Sequence, residues 1–134
     1  MSGGARDWER DELAAWLRLI ATPGVGRESA RRLLAAFGSP EAVLTATAAD
    51  RKQFVGPAAA QALAVESEGF AALLARTCAW LADGEQHALV ALGDPAYPEL
   101  LLQTADPPLL LHAAGRLELL RAPSLAIVGS VRCV

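Results

Sequence analysis

Cysteine is scarce in this chain: Cys78 and Cys133 are the whole supply. Two thiols this far apart make no disulfide framework, and neither has His, Cys or Asp neighbours at metal-ligand spacing. Cys78 falls on an apolar helical stripe and reads as a small core residue. Histidine is equally thin. His87 and His112 have no ligand or triad partner nearby, so they read as surface or strand histidines. No apolar run approaches the roughly eighteen residues of a membrane span. The first residues, MSGGARDWERDE, are polar and acidic, unlike a signal peptide. A cytoplasmic location is therefore expected. Basic charge is in deficit too. The net charge is −3, and Lys52 is the only lysine among twelve basic residues. Neither residues 1–84 nor residues 85–134 are basic overall, so any binding of nucleic acid requires a local patch and not a bulk field. A complete Gly-x-Gly-x-x-Gly, a Walker lysine and a paired acid and base are all missing, which argues against a nucleotide-binding enzyme. No metal site and no cofactor is expected.

What the chain does have is apolar residues, 53% of the total against 20% charged. That suits one ordinary domain, or a small domain plus part of another. Residues 7 to about 83 carry helical periodicity. Leu13, Trp16, Leu17 and Ile20 mark one buried face, with Asp7 as a candidate cap. Thr22-Pro23-Gly24-Val25-Gly26 breaks that helix. A second follows with Ala30, Leu33, Leu34 and Phe37 facing inward, and Gly38 stops it. Ser39 with Pro40, and Thr47 with Asp50, open two short helices. Val55-Gly56-Pro57 then precedes one long helix, expected over about 58–83, with Gly69 as a bend and Gly84 as its end. Trp8, Trp16 and Trp80 are expected in the core or at a domain interface.

After Gly84 the pattern changes to short apolar segments between turns. Strands are expected over 87–92, 109–113 and 125–129, with a short helix near 98–105 and a helical turn near 116–120. The fold class is therefore α+β: a helical domain over 1–84, then an α/β segment over 85–134. Three strands with little helix to cover them make an unfinished layer.

Two constellations carry candidate function. The first is Leu19 to Leu34, two helices joined by a Gly-x-Gly hairpin. Gly24, Val25 and Gly26 form a turn whose glycines leave the amides of the next helix unshielded, where the helix dipole favours a phosphate oxygen. Arg27 and Arg31, one turn apart, add charge-assisted contacts. Such a site binds backbone phosphates without reading bases. The same hairpin also suits plain packing or a protein contact, and Glu28 beside the arginines favours that alternative. Phe54 to Leu63 reads as a degenerate second hairpin, lacking the second glycine and any charge.

The second constellation is spread over the C-terminal segment: Tyr97-Pro98, Leu101, Asp106-Pro107-Pro108, Gly115, and Ala126-Ile127-Val128-Gly129-Ser130. In this combination and order, and behind a helical domain with a Pro-Gly-Val-Gly hairpin, it resembles the DNA-processing protein A family (DprA, also called Smf) over about residues 13–130. The resemblance implies a small SAM-like helical domain with a helix-hairpin-helix, followed by a Rossmann-like domain. It implies a cytoplasmic protein that binds single-stranded DNA in natural transformation and recombination, helps load the RecA recombinase, and has no catalytic activity. Gly129 and Ser130 match the family's Gly-Ser-Arg loop, part of its DNA-phosphate pocket. Val131 stands in the arginine's place and Arg132 follows one residue late. The chain thus reads as the front third or so of a longer protein, with most of the Rossmann-like domain absent. The prolines of Tyr-Pro and Asp-Pro-Pro read as rigid turns. Tyr97 is expected to pack its ring with the hydroxyl at the rim. A helical module that contacts a protein partner, or a second copy of itself, is the rival reading.

Overall fold

The computed structural model describes residues 6–129. Helix α1 (Arg10–Ala21) has Asp11 and Glu12 in its first turn and Arg18 in its last, both favourable to the helix dipole. Its N-cap is Glu9 and no side chain caps it, so the expected Asp7 cap does not form. Trp8 fixes the approach to the helix instead, donating from its indole Nε1 to the Leu89 carbonyl at 3.1 Å. Leu13, Trp16, Leu17 and Leu19 are buried, whereas Ile20, expected among them, is exposed beside an apolar groove that Leu17, Leu73, Leu109 and Leu110 also line.

Helix α2 (Arg27–Phe37) ends as predicted: Gly38 adopts φ 93° and returns its amide to the Leu34 carbonyl at 2.8 Å. Ser39 Oγ accepts from the Ala42 amide to open α3 (Pro40–Thr45), and Thr47 Oγ1 accepts from the Asp50 amide to open α4 (Ala48–Arg51), each at 3.1 Å.

The expected long helix is two helices, α5 (Pro57–Ala62) and α6 (Phe70–Asp83). Gly69 does more than bend it. At φ 84° it is left-handed, which no helix interior accommodates. Packing gives the reason. One continuous helix would carry Leu63 and Phe70 on one stripe, yet the two bury in different clusters. Leu63 joins Trp16, Leu19, Leu33 and Val43, while Phe70 joins Leu13, Leu17 and Leu74. Cys78, expected in the core, is only half-buried at the margin of the second cluster.

Strand β1 (His87–Ala91) pairs antiparallel with β2 (Leu110–Ala114), with Leu89 opposite His112. Four of the five β1 residues are buried because both faces are covered. Leu89 and Ala91 meet the two helical clusters, whereas Val90 packs on Ala96 and Tyr97. The strand enters past Gly84, where an added Cβ would meet the His87 ring at 2.9 Å. His87 is a strand histidine, stacked on Trp80 with 4.3 Å between ring centroids. A short helix α7 (Glu99–Leu102) and a 3-10 turn (Leu117–Arg121) complete the segment.

The expected third strand does not form among the described residues. The sheet has two strands, and residues 125–129 pair with neither. Ile127 and Val128 are 90% and 91% exposed. Their apolar pattern suits a strand, but a strand exists only with a partner, and these residues pair with neither open edge of the two-stranded sheet. The fold is α+β, a helical hairpin domain followed by a small sheet consistent with part of a Rossmann-like layer.

Candidate nucleic-acid interface

The first hairpin is built from a turn and an open helix start. Thr22-Pro23-Gly24-Val25 is closed by the Val25 amide on the Thr22 carbonyl at 3.1 Å, with Pro second and Gly24 third at φ 85°. That is the residue pattern of a type II turn, and only glycine takes its third position without strain. Gly26 differs. Its φ −81° and ψ 174° are open to any residue, so its value is the side chain it lacks. It caps α2 with no side chain, and the first helical bond is Ala30 amide to Gly26 carbonyl at 2.9 Å. The amides of Arg27, Glu28 and Ser29 therefore have no hydrogen-bond partner among the described residues. These three residues line a cavity of about 690 Å³ together with Arg31 and Asp106. Val25 is buried beneath and anchors the turn to the core.

The arginines meet a partner the sequence did not offer. Arg27 Nη2 lies 2.7 Å from Asp106 Oδ2, and Arg31 Nη1 lies 2.6 Å from Asp106 Oδ1. Arg31 Nη1 also donates to the Pro107 carbonyl at 2.9 Å. The next carbonyl, that of Pro108, accepts from the Tyr97 hydroxyl at 2.7 Å. Asp-Pro-Pro is thus more than a rigid turn. Proline has no amide, so the segment presents three successive acceptors without competing donors from residues 107 and 108. Tyr97 is buried, and its hydroxyl sits on that carbonyl and not at the rim as expected. Burial pushes the hydroxyl pKa up, against a smaller opposing pull from Arg31. Asp106 goes the other way. The Arg31 hydrogen bond chiefly, with the Arg27 charge behind it, holds its carboxyl below the ordinary value of 3.8.

Two further charged groups escaped the sequence reading. Arg51, in a four-residue helix beside Lys52, is only 2% exposed. Its guanidinium donates to the carbonyls of Val43 (3.1 Å), Leu44 (3.4 Å), Ala46 (2.6 Å) and Ala60 (3.0 Å). It binds the end of α3 to α5, and burial, helped by Arg18, lowers its pKa. Asp94, in the turn after β1, accepts from the Ala91 amide at 2.8 Å and pairs with Arg6 at 3.0 Å.

Of the hairpin candidates, Gly26, Arg27 and Arg31 line one cavity, whereas Gly24 shapes the turn and Val25 anchors it in the core, and neither of these two lines it. The second group of candidates does not join them. Gly129 is exposed, with no hydrogen bond to the hairpin among the described residues, while Ser130 and Arg132 lie outside those residues. Among the described residues, no group of three His, Cys, Asp or Glu side chains is placed to hold a metal, and no helix is long and apolar enough to cross a membrane.

Residues 10–72 match the family model described as the DprA-like N-terminal HHH domain, and residues 88–134 match the one described as DNA recombination-mediator protein A. The chain belongs to the DNA-processing protein A family. The first match runs from α1 into α6 and takes in the hairpin; the second begins within β1 and takes in the Asp-Pro-Pro hub. The Arg27–Asp106–Arg31 contact therefore joins the two matched regions of one DNA-recombination protein. No curated protein and no solved structure matches the chain.

Proposed function

We propose that this chain binds single-stranded DNA through its phosphates at the mouth of the first hairpin, in the cytoplasm, during natural transformation and recombination. RecA is the protein partner to which the bound strand passes, and no catalytic step or cofactor enters the reading. The observation that carries it is the open start of α2: three amides without a hydrogen-bond partner among the described residues, and two arginines, in residues that line one cavity. Amides and a helix dipole favour a phosphate oxygen, and arginine adds a forked donor to it. Membership of a DNA-processing and recombination family supports the same reading.

Fluorescence anisotropy with labelled oligothymidylate tests it. Binding should be salt-sensitive and indifferent to base sequence. Arg27→Ala with Arg31→Ala should weaken it and flatten the log–log salt slope by about 0.7 for each phosphate that is no longer neutralised. Unchanged affinity in that variant would remove the hairpin from the interface.

One observation favours the rival reading of a protein-contact module without DNA binding of its own. Glu28 pairs with Arg32 at 3.0 Å, and Asp106 pairs with Arg27 and Arg31, so the patch is largely neutralised from within. Association that rises with chain concentration and ignores added oligonucleotide would support that reading.

A further inference from the structure

The two candidate constellations touch through the Asp106 carboxylate and the Pro107 carbonyl, and the placement of the carboxylate has a regulatory meaning. We propose that Asp106 is a built-in competitor for DNA: its carboxylate stands between Arg27 and Arg31 where a strand phosphate would stand, and a strand must displace it to engage Arg27. The inference rests on the hairpin reading above and goes beyond it by naming what holds the site closed.

The geometry supports substitution of one anion by another. Each Asp106 oxygen takes one guanidinium, at 2.7 and 2.6 Å, which is the charge-assisted pairing that two phosphate oxygens would make. Asp106 also lines the same cavity as the open amides of α2, so the internal anion and an incoming one compete for one space. The two arginines are held unequally. Arg31 is 21% exposed and keeps a second acceptor, the Pro107 carbonyl. Arg27 is 58% exposed and has Asp106 as its partner among the described residues. Arg31 is therefore the anchor of the hub, and Arg27 is the arm that can leave it.

The trigger is an anion and not a proton. Both arginines favour the ionised carboxylate, so acid opens the contact only below the ordinary aspartate range, outside cellular pH. Ion pairs this exposed are weak and reversible. One small anion gains little over the resident carboxylate. A strand presents neighbouring phosphates to Arg27 and to the amides of Arg27, Glu28 and Ser29 together, and so is held at several points at once.

The test measures oligothymidylate affinity for the full chain, with thermal melting of each variant alongside. Asp106→Asn keeps the shape and removes the charge. It should bind about three- to tenfold more tightly. That gain should vanish when Arg27→Ala is added. An Asp106→Asn variant that melts cooperatively and binds no better than the parent overturns the competitor. Loss of binding in Arg27→Ala alongside that result leaves the hairpin reading standing without it. If no variant binds, Asp106→Asn included, both fall. Should Asp106→Asn fail to fold, the unaltered chain still decides. Its carboxyl carbon-13 resonance for Asp106 should move toward that of an unpaired aspartate as oligothymidylate is added. A resonance that stays in place at saturation overturns the proposal.

Discussion

Val25-Gly26 and Val55-Gly56 open two helices in the same way. In both turns the valine is buried in the first core cluster and the glycine is an extended N-cap. In both, the fourth residue of the helix, Ala30 or Ala60, is buried and returns its amide to the glycine carbonyl. What differs is where the arginines sit. The first hairpin carries Arg27 and Arg31 on its outer side, held by a carboxylate from the C-terminal segment. The second is gripped from the inside by Arg51, which spends its charge on backbone carbonyls. The second also begins its helix with Pro57, which removes one of the amides an anion would use. One backbone plan thus carries an exposed arginine edge in one copy and a structural joint in the other. The choice is made by a few side chains, not by the turn.

The sharpest way to break this contrast is Arg51→Met. It leaves up to four carbonyls short of a donor in the interior, and a destabilisation of at least about 3 kcal/mol is expected in denaturant unfolding. Arg27→Ala on the other hairpin should barely move the same curve. A milder comparison sets the glycine whose conformation the first turn requires against the N-cap glycine of the second. Gly24→Ala puts a side chain at φ 85° and should cost about 1–2 kcal/mol. Gly56→Ala, at φ −64° with open space around an added Cβ, should stay within about 1 kcal/mol of the parent. Equal effects at both positions would mean the turns are more alike than their dihedral angles say. The smallest effect is on pH dependence. The Asp106 pKa is depressed in the folded chain, so its contribution is complete above the ordinary value of 3.8 and fades as pH falls through the lower folded value. Acid titration of the parent and Asp106→Asn should show a stability gap at neutral pH that closes in strong acid.

Local chemistry made most of the fold legible. Gly38, Ser39 and Thr47 mark helix ends through bonds within a few residues, and each forms where the sequence places it. Two strands follow from apolar runs between turns. The misses are non-local. Residues 58–83 have helical periodicity throughout, but only packing shows that Leu63 and Phe70 belong to different clusters. Arg51 escaped notice because its partners are carbonyls, which leave no trace in a sequence. Asp106 and the hairpin arginines were each noticed, yet the separation of 75 positions from Arg31 to Asp106 hid the pairing. The candidate site was therefore readable as parts and not as an assembly.

The enclosure of β1 has a practical side. With Leu89 and Ala91 completing the helical clusters and Val90 seated on Tyr97, this strand is mortar for both halves of the chain. Severing the polypeptide near Gly84 would leave the helices with a wet, greasy seam along Leu13, Leu17 and Leu74, prone to clumping. Heat should likewise undo helices and sheet in a single step.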